Sequence, residues 1–195
     1  MRHGEVHNPK DIVYVRLPRF RLSEKGRREA EITARFLKRE PISVIYCSPM
    51  LRARQTAQII GTYQPQAPIH ISRYLNEIQT GYQGASRVEV SRIGWNFYDN
   101  RLQDSDETRE QVLARVQKQL RLTLRRHAGQ KVVWVAHGDL VIMTTLWAKG
   151  MPLSALQNFK GANYIGHGSV TKFVFDGEHE LPLSVEYFDP PKKEA

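Results

Sequence analysis

Cysteine is almost missing from this chain: Cys47 stands alone among 195 residues. One thiol forbids an internal disulfide and cannot build a cysteine-based zinc site. The expected compartment is therefore reducing, and cytoplasmic. Acid is also short, with 20 Asp and Glu against 29 Lys and Arg, a net charge of +9. No stretch approaches the roughly 20 apolar residues of a membrane span. The opening Met1-Arg2-His3-Gly4-Glu5 has no apolar run, so a secretory leader is not expected. Internal repeats and low-complexity linkers are lacking too. What is present, 41% hydrophobic and 25% charged residues, is ordinary for a globular chain. At about 150 residues per domain the length gives a single domain.

The basic surplus gathers between Lys10 and Arg39 and between Arg109 and Arg126, with acids mixed in. Surplus Lys and Arg raise the local concentration of anionic partners. No basic stripe is interleaved with aromatics and no nucleic-acid motif occurs. The expected partner is a phosphorylated small molecule, not nucleic acid and not a membrane. Spacing alone does not reach the oligomeric state.

Helical and strand-like segments alternate, which favours an α/β fold. Ser23 is placed to cap a helix over 24–39, where Ala30, Ala34 and Leu37 recur at helical spacing before Pro41. Val44-Ile45-Tyr46-Cys47 reads as a buried strand. Ser48-Pro49 then opens a helix reaching about Ile60. Ile69–Ile71 is a further strand. Residues 76–106 are irregular and rich in Gly and aromatics, which marks a lid or an insertion. A long amphipathic helix over 107–127 sets Val112, Val116, Leu120 and Leu124 on one stripe. Residues 132–136 give the strongest strand pattern. Helices over 140–149 and 152–159 and strands over 170–175 and 183–188 follow. Residues 1–190 thus form one domain, and 191–195 a mobile tail.

Three separated segments carry the chemistry. Arg2-His3-Gly4-Glu5 lies at the start. Ser48-Pro49-Met50-Leu51-Arg52-Ala53-Arg54-Gln55-Thr56-Ala57 crosses from a strand into a helix. Val135-Ala136-His137-Gly138-Asp139 leaves the strongest strand and enters another helix. Loops outside the carboxyl ends of strands form the ligand crevice of open α/β sheets. Helix N-termini aimed at one point add partial positive charge. Two arginines and two histidines brought there would make a pocket for a phosphoryl group.

This ordered set resembles the histidine phosphatase superfamily, with its phosphoglycerate-mutase-like fold. Leu75-Asn76-Glu77 with Gly81-Tyr82-Gln83-Gly84, and Leu22-Ser23-Glu24 with Gly26-Arg27, fit the same pattern. The resemblance covers residues 2–175. It implies a three-layer sandwich, a mostly parallel central sheet flanked by helices. It implies His3 as nucleophile and carrier of a transient phosphohistidine, and Arg2 and Arg52 as phosphate clamps. It implies His137 as the partner that stabilises the equatorial oxygens. Glu77 would protonate the leaving oxygen, with a pKa raised toward neutrality. Asn8 stands where the family often places a phosphate-holding Asn. No metal and no cofactor is needed in such a scheme.

Each residue also has a plain reading. His3 alone would be a terminal loop residue, and Arg52 a helix-capping or ion-paired arginine like its neighbour Arg54. His137 would be a satisfied strand-end histidine, and Glu77 a solvated loop carboxylate. His7, His70, His127, His167 and His179 match no motif position and read as surface or structural; for His167, in Gly166-His167-Gly168-Ser169, the resemblance leaves a rim position as the alternative. Trp95, Phe97 and Tyr98 either shape substrate access or anchor the insertion to the core. Arg16 and Arg19, where relatives often carry glycines, either face the pocket mouth or are solvated.

The chain departs from the family at its start, where only Met1 precedes Arg2. The first strand is expected to be truncated, leaving His3 poorly held. Three activities remain in play: a metal-independent phosphomonoester hydrolase, a phosphoglycerate-mutase-type phosphotransferase, and a non-catalytic phosphate-binding relative. The Trp-Asn pair of mutases is absent, with His7-Asn8 in its place.

Overall fold

In the computed structural model, which describes residues 1–177 and 179–193, strand β1 (Ile42–Cys47) is the centre of a parallel sheet. It pairs on one side with β2 (Ile69–Ile71), Ile45 opposite Ile69 and Cys47 opposite Ile71. On the other side it pairs with β3 (Lys131–Val135), Ile42 opposite Lys131 and Cys47 opposite Val135. Val44, Ile45 and Cys47 are almost wholly buried. This is the continuous apolar run expected of a parallel strand covered on both faces.

Helices α1 (Glu24–Leu37) and α2 (Leu51–Tyr63) pack together on one face. Ala34, Leu37, Ala53, Ala57 and Ile60 share a core there with Ile45, Cys47, Val133 and Val135. On the other face α4 (Arg109–Arg126) packs against α5 (Gly138–Ala148), with Val112, Val116, Leu140 and Leu146 buried between them. These three layers are the α/β sandwich expected from the resemblance. The stripe on α4 repeats every four residues and needs only this one covered face. In α5, by contrast, buried residues run almost unbroken from Gly138 to Thr144, so the helix is enclosed.

The residues up to His3 pair with the sheet. Arg2 bridges Ala136 in parallel, extending the sheet beyond β3. The Met1 amino group donates to the Trp134 carbonyl, Ala136 N–H to Met1, and His3 N–H to Ala136. On the far side Arg2 N–H donates to Ser169, and Gly168 N–H to the His3 carbonyl. The expectation that His3 would be poorly held is therefore corrected: its peptide is bonded on both edges. The chain then runs into β4 (Val170–Val174), which pairs antiparallel with β5 (Ser184–Phe188) as a separate hairpin.

Several boundaries move. Helix α2 begins at Leu51, with Met50 as its unassisted N-cap. The Ser48 hydroxyl accepts from Met50 N–H at 3.3 Å and also lies 2.8 Å from His137 Nε2. Residues 76–106 contain a short helix α3 (Arg87–Arg92) closed by a reciprocal Ser86/Glu89 cap. Phe97 and Tyr98 from this segment lie in the core beside α4 and α5, so they anchor it. Arg109 grips the Asp99 carboxylate at 2.6 and 2.9 Å. At the end of the chain Pro190–Lys193 forms a short helix α6 against α1. The expected mobile tail starts inside that helix, and its residues 194 and 195 lie outside the described residues.

No helix among the described residues is long and apolar enough to cross a membrane.

Candidate active site

His3 follows the Arg2 bridge to the sheet, Arg52 stands in the first turn of α2 after β1, and His137 is the N-cap of α5 after β3. Three loops at the carboxyl edge of one sheet thus meet, as the strand order demands. All three side chains are 2% exposed or less. Two glycines permit the closeness. A Cβ on Gly4 would lie 2.3 Å from the Gly26 carbonyl oxygen, and one on Gly26 would lie 2.0 Å from that of Glu5. Only backbone against backbone lets α1 approach the loop that follows His3. Ser23 then caps α1 and also donates to Glu5 at 2.8 Å.

The His3 ring is oriented by its own neighbour. Nδ1 lies 2.7 Å from the Gly4 carbonyl oxygen. A carbonyl can only accept, so the proton sits on Nδ1 and Nε2 keeps its lone pair. Arg52 Nε donates to that Nε2 at 3.1 Å. Burial, and then the Arg52 charge, hold the His3 pKa well below the ordinary histidine value. At neutral pH the ring is uncharged.

Arg52 is the hub. Its Nη2 donates to the Val15 carbonyl at 2.8 Å and meets Glu77 Oε2 at 3.4 Å and His137 Nδ1 at 3.2 Å. Its guanidinium stacks over Tyr14, 4.8 Å from the ring centre. His137 Nδ1 lies 3.2 Å from Glu77 Oε2, and its Nε2 lies 2.8 Å from the Ser48 hydroxyl. The His3 and His137 rings meet edge to face at 5.2 Å. Burial lowers the His137 pKa to about 4, against an opposing pull from Glu77. For Glu77 burial alone would raise the carboxyl, but His137 and Arg52 outweigh it and hold it well below the usual carboxylate range. The expected upward shift is thus corrected: with Arg52 as neighbour, Glu77 is a carboxylate.

Arg2 closes another side. It lies over the Tyr164 ring at 4.7 Å and donates to the Ile165 carbonyl. Among the described residues nothing accepts from its buried Nε. Tyr164 reaches in because residue 138 has no side chain; a Cβ there would sit 2.2 Å from its hydroxyl. That hydroxyl donates to Asp139, as do Tyr98 and Lys160. The His167 ring lies 5.8 Å from His3.

The structure therefore gathers His3, Arg52, His137 and Glu77, with Arg2 alongside. Among the described residues Asn8 shares no hydrogen bond with them. Both ends of the Asn8 amide are engaged with the Ile12 backbone, at 2.9 and 3.3 Å. Ser48 and Tyr14 were not assigned roles from the sequence. Ser48 stood inside the Ser-Pro-x-x-Arg motif, whereas nothing in the sequence marked Tyr14. Arg16, its side chain partly exposed, is tied into a network on the Glu77 backbone, while Arg19 is exposed.

Donor atoms of His3, Glu77 and His137 lie within 4.8 Å of one another, as do those of Glu5, Glu29 and His167. In the first set the Arg52 guanidinium bonds to all three residues and would repel a cation. In the second, Lys25 Nζ already sits 3.0 Å from Glu5 and 3.9 Å from Glu29. The first arrangement can instead surround a tetrahedral anion with fixed positive charge and set a lone pair beside it.

A parallel α/β sandwich with that cluster at its strand ends defines a class. The model of the histidine phosphatase superfamily (branch 1) matches residues 1–186, and the chain belongs to that superfamily. An uncharacterized protein of Mycobacterium tuberculosis is 29% identical over 184 residues, which cover 91% of this chain and 89% of that one. The structure is similar to YhfR of Bacillus stearothermophilus, with a TM-score of 0.79 and 26% identity over 94% of this chain and 95% of that one. It shares the fold of a mycobacterial glucosyl-3-phosphoglycerate phosphatase, with a TM-score of 0.77 and 21% identity over 95% and 93% of the two chains.

Proposed function

We propose that this protein hydrolyses phosphomonoesters of small molecules through a covalent phosphohistidine on His3, without a metal. The observation that carries the reading is the His3 tautomer. With Nδ1–H donated to Gly4, the Nε2 lone pair faces Arg52 and the buried cationic space between the loops.

In this scheme a phosphoryl dianion takes over the donors of Arg52 and the unused Nε of Arg2. His3 Nε2 attacks phosphorus, the N–P bond forms, and the ester P–O bond breaks. Charge on the equatorial oxygens is met by Arg2, Arg52 and His137. Glu77 protonates the leaving oxygen. Its low pKa rests on Arg52 and His137, so an anion that engages both would leave burial to dominate and push the carboxyl up. The second half reverses the roles: Glu77 accepts a proton from water, water oxygen attacks phosphorus, and the N–P bond breaks. Asn8 has no direct part in this scheme; it braces the 8–12 turn.

The test is turnover of a panel of phosphomonoesters with EDTA present, for the wild type and His3→Ala. The variant should lose at least about a thousandfold in kcat, because the covalent route disappears. Rapid acid-free quenching should trap labelled phosphate on the wild type in an acid-labile bond. Retained activity in His3→Ala, or a strict need for added divalent metal, would refute the reading.

A further inference from the structure

Three charged side chains converge on the stretch of backbone that carries Glu77. Glu107 immediately precedes the N-cap of α4. Its Oε2 accepts from Gln79 N–H at 2.9 Å, Arg16 Nη2 at 2.9 Å and Arg115 Nη2 at 3.1 Å, and its Oε1 accepts from Arg115 Nε at 2.8 Å. Arg115 Nη1 donates to the carbonyls of Tyr74 and Asn76, both at 2.8 Å. Arg16 Nε donates to the Glu77 carbonyl at 2.7 Å, and its Nη1 to Gln79 Oε1 at 2.7 Å. Every arm of this network ends on residues 74–79, the peptide that carries Glu77. The residue before Arg16, Val15, gives its carbonyl to Arg52.

Glu77 is consequently held from both ends. Its carbonyl is gripped by Arg16, while its carboxylate meets Arg52 and His137 and accepts from Ile78 N–H at 2.9 Å. Two guanidinium groups on one half-buried carboxylate are weak evidence of net stabilisation, because desolvation offsets much of the attraction. They do fix geometry, since each fork donates in a set plane. A proton donor needs that precision: a misplacement of about 1 Å costs on the order of a hundredfold.

We infer that Arg16, Glu107 and Arg115 are positioning residues that aim Glu77 at the leaving oxygen, and so govern hydrolysis of esters whose leaving group needs a proton. This rests on the hydrolase reading above. An alkoxide is a poor leaving group and must be protonated as it departs. A nitrophenolate is stable without a proton, so its release bypasses Glu77. The network therefore matters for the first kind of ester and little for the second.

The experiment compares glycerol phosphate with p-nitrophenyl phosphate for wild type, Glu107→Gln and Arg16→Gln. Arg16 lies towards the surface, with a side chain 26% exposed, and keeps the test open should Glu107→Gln fail to fold. Each variant should lose roughly 10- to 100-fold in kcat/KM on glycerol phosphate and less than about threefold on p-nitrophenyl phosphate. Inhibition by vanadate should be unchanged. Combining Glu107→Gln with Glu77→Gln should cost nothing beyond Glu77→Gln alone, because the pair acts as one unit. Equal losses on both esters, fully additive losses in the double variant, or no loss at all would overturn the inference and leave the hydrolase reading standing. A wild type that cleaves neither ester would remove both.

Discussion

At the residue scale the site depends on atoms that are missing as much as on those present. Gly26 is the sharpest case. A methyl group there would press to 2.0 Å from the Glu5 carbonyl oxygen, and both partners are backbone. Gly26→Ala should therefore lower stability by about 1–3 kcal/mol, read from urea denaturation, and should weaken vanadate binding by shifting the loop that orients His3. Unchanged binding would show that the loop relaxes without moving the ring. His3, Arg52, Glu77 and His137 were legible in the sequence because each sits in a short motif whose neighbours report the turn it occupies. Tyr164 was not. It reaches the site from 25 positions beyond Asp139, and its place is set by the space over Gly138, a three-dimensional fact with no local sequence signature.

At the element scale the strongly periodic segments announced themselves. Helix α4 showed one apolar stripe, and β1 and β3 showed unbroken apolar runs, since burial on one or two faces leaves those patterns. The start of α2 was misread for a specific reason. Ser48 resembles a cap, but its hydroxyl serves His137, and the helix begins three residues later. Helix α3, opened by the Ser86/Glu89 box, has only six residues, too little periodicity to stand out among the surrounding Gly and aromatics. This irregular segment is fastened to α4 chiefly through Arg109, which grips Asp99, donates to Asn96 Oδ1 at 3.0 Å and lies 5.0 Å from the Tyr98 ring. Arg109→Ala should then speed proteolysis within residues 93–106 and raise amide exchange there, with α1 and α2 unaffected. Uniform loss of protection across the chain would show that the clasp supports the whole fold rather than this segment.

At the scale of the whole molecule, the buried imidazoles couple the site to stability. Burial lowers His137 to about 4, and burial with the Arg2 charge lowers His167 to about 3; His3 shifts the same way. Unfolded, each would titrate near the ordinary value of about 6.5. Below that pH the unfolded chain takes up protons that the native state refuses, so stability must fall as pH falls. Each such proton costs about 1.4 kcal/mol per pH unit within its window. Glu77, depressed in the fold, adds to the loss only in the carboxylate range. Glu29, raised chiefly by burial, acts in the opposite sense, stabilising at low pH and losing that contribution as pH rises through its folded value. Burial also lowers the Met1 amino group to about 5, so the expected outcome is a melting temperature that declines gently from about pH 8 and steepens below pH 6.5, well above the range where acids protonate. His167→Asn should flatten that slope, since its ring lies beside the catalytic cluster without sharing its hydrogen bonds. The net charge of +9 also grows on acidification and repels itself, but salt screens that repulsion and does not reach buried rings. Melting curves at pH 7.0, 6.0 and 5.0, each in low and high salt, separate the two causes. A drop that high salt abolishes would assign it to surface charge and leave the histidines no part. A drop that persists in salt and shrinks in His167→Asn would place the acid sensitivity in the same desolvated rings that keep His3 neutral for attack.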